Sequence, residues 1–195
     1  MRKRVILKKG KEESLQRFHP WIFSGAIASI EGKPDEGDVV DVFTSDGNWI
    51  AVGHIQVGSI AVRILSFENV PIDREFWVKR LGTAFAIRHS LGLTDRDDHN
   101  IYRLVHGEGD NLPGLIIDIY GRMAVMQAHS VGMHCCRTEI ADALWEVMGD
   151  RISGIYYKSE GTLPFKADIK SGDGYIKGGP VDDIPLEYGI KMPVD

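Results

Sequence analysis

The hydrophobic period of this chain changes once, at Asn69-Val70-Pro71, and that change decides what each side can fold into. Before it lie short apolar runs closed by turns. Arg4–Lys9 is β-capable, Glu12–Phe18 can make one helical turn stopped by Pro20, and Ser59–Phe67 is a long strand-like run. Val39–Phe43 and Trp49–Ile55 flank Thr44-Ser45-Asp46-Gly47-Asn48. The Asp-Gly pair inside that segment predicts a hairpin, because glycine reaches positive φ without a Cβ penalty. Several short strands within one small segment predict a small β-barrel or sandwich over residues 1–72.

After the proline the period lengthens. Asp73 can cap a helix to about Leu91, with Trp77, Leu81, Ala84, Phe85 and Leu91 on its apolar side and Gly92 as its stop. Ile101–Val105, Leu115–Tyr120 and Met123–Ala128 read as strands. A second helix is expected over Gly132–Met148, with a stripe of Met133, Cys136, Ile140, Leu144 and Val147. Gly154–Lys158 is a further strand, and Ile184–Tyr188 with Ile190–Val194 predicts a hairpin about Gly189. Residues 73–195 therefore predict an α+β domain.

Composition narrows the function classes. The chain is 43% hydrophobic and 26% charged, ordinary values for a globular protein. No run approaches the ~20 apolar residues of a membrane span, and the basic start Met1-Arg2-Lys3-Arg4 lacks the apolar core of a signal peptide, so no membrane partner and a cytoplasmic location are expected. The net charge of −5 argues against indiscriminate coating of nucleic acid. Its distribution says more. Residues 1–17 hold seven basic side chains against two acidic, while the surplus acid lies wholly after residue 72. A basic leading edge on a neutral first domain suits phosphate contact on one face, and a solvated tail is the plain alternative.

Three strings could carry chemistry. Phe18-His19-Pro20-Trp21-Ile22-Phe23-Ser24-Gly25 concentrates rings beside the basic edge, and rings next to Lys or Arg are what unpaired bases and phosphates require. Phe23 is expected to plug one end of the barrel, while His19 and Trp21 are open to either role. Arg103 to Leu115 joins two apolar runs through a loop dense in glycine and titratable groups. Arg103, His106, Glu108, Asp110 and Asn111 are its candidate substrate-facing residues. His106, Glu108 and Asp110 could serve as acid, base and orienter or as metal ligands, but the H-x-E-x-D spacing sits on a turn and matches no known catalytic set. The glycine-rich Ser171–Gly179 run is followed by Pro180 and no helical stripe, so a nucleotide loop is rejected. His129 and His134 with the adjacent Cys135 and Cys136 lack the spacing of a zinc set, and no metal site is expected.

Phe18–Ile27 (F-H-P-W-I-F-S-G-A-I) resembles the PUA domain that opens bacterial large-subunit ribosomal RNA cytosine-5 methyltransferases. Arg103–Gly121 (R-L-V-H-G-E-G-D-N-L-P-G-L-I-I-D-I-Y-G) resembles the signature of that family's central α+β domain, and the order agrees. The resemblance implies a PUA-like RNA-binding barrel over 1–72 and the central domain over 73–195. It also implies a Rossmann-like domain that binds S-adenosylmethionine and carries a nucleophilic cysteine. Neither the cofactor loop nor a Pro-rich segment around a cysteine is found here, so no catalytic residue is carried over. The expectation is thus a chain that lacks the Rossmann-like methyltransferase domain, binds no cofactor itself and is inactive alone. It would be an RNA-recognising portion truncated before the catalytic domain, with ribosomal RNA and the missing methyltransferase domain as partners. Arg4, Lys8, Lys9, Lys11 and Arg17 would meet phosphates, and His19 or Trp21 would stack on a base. The alternative is a module that docks the catalytic domain or forms a homodimer, which the acidic surplus after residue 72 favours.

Overall fold

The computed structural model describes residues 2–164 and 172–192. The start of the Ser171–Gly179 run and the end of the expected strand Ile190–Val194 lie outside them. The first unit is built from β1 (Lys3–Leu7), a single turn α1 (Glu13–Gln16), β2 (Trp21–Phe23), β3 (Ile27–Glu31), β4 (Val39–Phe43), β5 (Trp49–Ile55) and β6 (Ile60–Ser66). They form one ladder in the order β2-β6-β5-β4-β1-β3, antiparallel except for the parallel pair β1/β4. The ladder is open. β2 and β3 are its two edges, and Val5, Leu7, Leu15, Ile22, Val40, Val42, Val62 and Ile64 form its core. Period-two alternation explains which rings go inside. In β2 Ile22 is buried, so its neighbours Trp21 and Phe23 must face the other way, and Phe23, expected as a barrel plug, is 49% exposed.

The second unit begins with α2 (Arg74–Ser90), where the Asp73 side chain accepts from Phe76 N at 3.1 Å and so satisfies a donor that the helix itself cannot. Its end is a left-handed Gly92 (φ 67°), with Gly92 N donating to His89 O and Leu93 N to Arg88 O. There follow β7 (Ile101–His106), β8 (Leu115–Tyr120), β9 (Met123–Ala128), the short α3 (Val131–Cys135), α4 (Arg137–Met148), β10 (Gly154–Tyr157) and β11 (Gly174–Gly178). A two-residue hairpin, β12 (Leu186–Glu187) with β13 (Ile190–Lys191), ends the described chain. The single expected helix over 132–148 is broken at Cys136.

The expected α+β layout is corrected here. The sheet order is β11-β10-β9-β8-β7, and β9 and β10 run parallel, joined through α3 and α4. A parallel pair needs a crossover, and the helices supply it. The unit is therefore a mixed sheet with a β–α–β crossover. Its core takes Leu115, Ile117 and Ile119 from alternate positions of β8, and Ala124, Met126 and Ala128 from β9. Trp77 and Leu81 of α2 and Ile140 and Leu144 of α4 also join it. Each such fully buried large side chain is worth about 1.5–3 kcal/mol of transfer free energy.

The two units meet on a specific surface. His54 of β5 is 3% exposed and lies against Gly132 of α3, where an added Cβ would fall 2.2–2.5 Å from the His54 side chain. Only glycine lets the α3 backbone approach the His54 side chain this closely. The ring stacks with Trp77 at 6.3 Å, and Cys136 Sγ lies 3.7 Å from His54 Nε2. Gln56 Oε1 accepts from Val131 N at 3.3 Å, Arg80 donates to Leu65 O at 2.9 Å, and Arg2 donates to Val70 O at 2.5 Å. No helix among the described residues is long and apolar enough to cross a membrane.

Candidate nucleic-acid interface

The turn after α1 places Phe18 at φ 59°, an uncommon conformation for a ring-bearing residue, and starts the chain into β2 with its rings outward. His19, Trp21 and Phe23 then form one cluster, with ring centroids 5.8 Å (His19–Trp21), 6.3 Å (His19–Phe23) and 6.4 Å (Trp21–Phe23) apart. His19 Nδ1 accepts from Trp21 N at 3.2 Å, which fixes the imidazole. A cavity of about 350 Å³ opens beside them, lined by Lys11, Ser14, Leu15, Trp21, Ile22, Phe23, Gly25 and Ala26. Lys8 stands at the same place, its ammonium donating to Gly25 O at 2.8 Å.

The expected RNA contacts therefore divide. Lys8, Lys11, His19 and Trp21 are brought together, and Lys9 and Arg17 are exposed on the adjoining turn and helix, Arg17 facing Glu13 at 3.7 Å. Arg4 is not part of this group. Its guanidinium pairs with Glu31 at 3.0 Å and lies over the Phe43 ring at 4.1 Å, on the β1/β3 side of the sheet.

The loop after β7 is held from behind. Asp110 forms a two-toothed ion pair with Arg88 of α2, Nη2 to Oδ2 at 2.8 Å and Nη1 to Oδ1, with side chains only 5% and 12% exposed. The same carboxylate accepts from His106 N at 2.6 Å. Arg103 is engaged by Asp118 at 2.8 and 3.0 Å, and Asn111 takes the left-handed turn position at φ 56°. Gly114 (φ 84°) sits where a Cβ would be 2.8 Å from Ser130 Oγ. Asp110, Asn111 and Arg103 thus help build the loop, and Arg103 and Asn111 stay exposed on its surface. Asp110 bonds the His106 backbone and not its ring, so it does not orient that imidazole as the acid–base–orienter reading required. His106 and Glu108 are exposed.

Glu108 links the two strings that the sequence separates by 87 positions: its Oε1 accepts from Trp21 Nε1 at 2.8 Å. Beneath this contact, Arg63 of β6 lies opposite Trp21 in the β2/β6 register and opposite His54 in the β5/β6 register. Burial lowers the Arg63 pKa, and the charge of Glu108 opposes that shift. His129 is lowered first by burial and then by Arg103, with Glu108 again opposing. His54 is pushed down to about 4, by burial and then by the charge of Arg63. Arg63, His54 and Gly132 were not among the sequence candidates. Their only signal was a polar residue inside an otherwise apolar run, as His54 is in W-I-A-V-G-H-I.

Among the described residues, no group of three or more His, Cys, Asp or Glu side chains is gathered for a metal ion. Open α/β sheets take ligands at the carboxyl ends of parallel strands. Here that end of β9/β10 is closed on itself. Ser159, fully buried, accepts from Ala128 N at 2.8 Å, Thr162 Oγ1 donates to Ala128 O at 2.7 Å, and Asp173 accepts from Ser159 N and Glu160 N at 2.7 and 2.9 Å.

Residues 5–67 match the PUA-like domain family. The chain is 38% identical over 194 residues to the ribosomal RNA large subunit methyltransferase I of Vibrio campbellii, covering 98% of this chain and 48% of that protein. It is 39% identical over 196 residues to the enzyme of the same name from Erwinia tasmaniensis, with the same coverage. Among solved structures, a chain assigned as a SAM-dependent methyltransferase from Streptococcus mutans superposes with a TM-score of 0.77 at 18% identity, over 96% of this chain and 47% of its own. A second assigned methyltransferase, complexed with SAH, gives 0.76 at 18%, over 96% and 46%.

Two expectations fall with these findings. The Rossmann-like methyltransferase architecture expected to be absent cannot be counted so, because 96% of the fold, mixed sheet included, superposes on methyltransferase chains. Nor does the reading as a non-catalytic front portion or docking module stand as made, since 98% of the chain aligns with proteins named as ribosomal RNA large subunit methyltransferases. Both rested on missing local motifs, and a parallel crossover between β9 and β10 leaves no local motif to find. Residues 5–67 match a PUA-like domain, and the chain is similar, over almost all of its residues, to the ribosomal RNA large subunit methyltransferases, about half of whose length it spans.

Proposed function

We propose that the protein serves in S-adenosylmethionine-dependent methylation of large-subunit ribosomal RNA, with C5 of a cytosine as the target, and that RNA is held on the Trp21 ring cluster. The observation that carries this reading is the outward cluster of His19, Trp21 and Phe23 with Lys8 and Lys11 at its side. Stacking on such rings contributes about 1–3 kcal/mol per base, and lysines beside them neutralise phosphates without reading sequence. Lys9 and Arg17 extend the charged strip along the backbone of the RNA. Ribosomal RNA as substrate places the protein in the cytoplasm on this reading.

S-adenosylmethionine supplies an electrophilic methyl group when bound. The described end of β9/β10 does not fit it, because its polar groups are already paired with one another, and no step is routed through it. Cys135 and Cys136 are not set up as the nucleophile of a cytosine-5 methylation. Burial raises both thiols, Cys136 to about 12, which keeps them protonated at neutral pH. Homodimerisation has no observation in its favour.

The test is binding of a labelled large-subunit rRNA fragment, followed by fluorescence anisotropy from low to moderate salt. Changing Lys8, Lys9 and Arg17 together to Glu should weaken binding at least tenfold, flattening the log K against log[salt] slope by roughly 0.7–0.9 for each phosphate no longer neutralised. Unchanged affinity and slope would remove the reading.

A further inference from the structure

The surface that carries the ring cluster does not end at Trp21. Arg63 lies directly beside it in the ladder, its side chain only partly exposed, at the seam between the two units. A guanidinium offers five donors, and among the described residues that of Arg63 makes no hydrogen bond and closes no ion pair. The other partly buried arginines here are spent: Arg88 on Asp110, Arg2 on Asp41 and Val70 O, Arg80 on Leu65 O, Arg4 on Glu31 and Arg137 on His134 O. Glu108 is near enough to act on Arg63 through its charge but gives its hydrogen bond to the Trp21 indole instead. A partly desolvated cation with no partner among the described residues, beside a half-buried indole, is a costly arrangement for stability alone.

We propose that Arg63 receives a phosphate of the RNA whose base lies on the ring cluster, and that Glu108 is an acidic gate that this phosphate displaces from Trp21. The proposal rests on the RNA reading above and adds an anchor and a gate to it. A phosphodiester presents two oxygens to the planar fork of an arginine, the geometry in which Arg exceeds Lys. The gate is cheap to move. Glu108 sits in an exposed turn, and its contact with Trp21 is a single hydrogen bond, whereas Asp110 next to it is clamped to Arg88. His129, electrostatically coupled to both Arg103 and Glu108, gains a more positive surrounding once the carboxylate swings out.

Glu108→Gln tests the gate cleanly, because glutamine keeps an oxygen for the Trp21 N–H and removes only the charge. It should bind the labelled rRNA fragment about two- to fivefold more tightly at low salt, the range expected for one partly exposed charge. Arg63→Met, which keeps the aliphatic stem, should weaken binding about tenfold and flatten the salt slope by roughly 0.7–0.9. In the double variant the gain from Glu108→Gln should vanish. Wild-type affinity in Glu108→Gln, or a gain that persists without Arg63, would overturn the proposal even if Arg63→Met folded poorly. If the Lys8, Lys9 and Arg17 variant loses affinity while the Arg63 and Glu108 variants bind as wild type, this anchor is wrong and the RNA reading survives. If all of them bind as wild type, both readings fail.

Discussion

Replacing Asp110 by Ala would remove the carboxylate that ties the Arg103–Leu115 loop to α2. Three interactions depend on it: two teeth of the ion pair with Arg88, and the acceptor for His106 N at 2.6 Å. The substituted protein would keep the Arg88 guanidinium at 12% exposure with no counter-ion, although its Nε would still donate to Arg103 O at 2.9 Å. Breaking one side of so enclosed a pair costs about 3–5 kcal/mol, most of it the penalty of stranding the other charge. For a chain of this length that corresponds to a fall in Tm of roughly 10 °C. Differential scanning calorimetry with Asp110→Ala, Arg88→Met and the pair together would give the coupling directly. The double variant should be less destabilised than the sum of the singles, since Met leaves no buried charge behind. A loss below about 1 kcal/mol for Asp110→Ala, or strict additivity, would show that the pair is solvated like a surface salt bridge and that the loop is not clamped.

The His54 imidazole is neutral in the fold, with its pKa pushed down from 6.5 to about 4, chiefly by burial. The unfolded chain therefore binds the extra proton between those values, so stability is complete above pH 6.5 and falls as pH drops toward 4, by about 3 kcal/mol in all. Denaturant titrations of His54→Gln should show a shallower acid limb, and an identical limb would refute the assignment. Gly132→Ala would drive a methyl group into the His54 side chain, at 2.2–2.5 Å, and should cost at least about 1–3 kcal/mol by thermal melting; an unchanged Tm would mean that the seam is looser than described. With a chromogenic disulfide reagent at pH 8, the exposed Cys135 should react at least about tenfold faster than the half-buried Cys136, whose thiol is pushed up to about 12. Equal rates would argue against that burial.

The pattern of apolar residues was enough to place most elements. Asp73 as a cap, Gly92 as a stop, and the alternation in Leu115–Tyr120 are local signals, and the structure uses each of them. β2, β3 and β11 escaped notice, β2 and β11 for a physical reason. Three residues in β2 are too few to show a period, and the glycine-rich β11 has little side chain to alternate. The expectation that Phe23 would be core failed because its face was set by Ile22, whose own direction depends on β6 alongside it.

What the sequence determined by itself was the change of pattern near Pro71, the two ends of α2, and the concentration of rings and positive charge before residue 24, all consequences of neighbours within a few positions. Tertiary structure alone decided the sheet order, the parallel pairing of β9 with β10, and the meeting of Trp21 with Glu108. It also decided that His54 would be sealed against a glycine 78 positions away. Those outcomes depend on which buried faces match across long stretches of chain. A carboxylate that caps a turn and one that holds an indole look the same in sequence, and only packing told Asp110 and Glu108 apart.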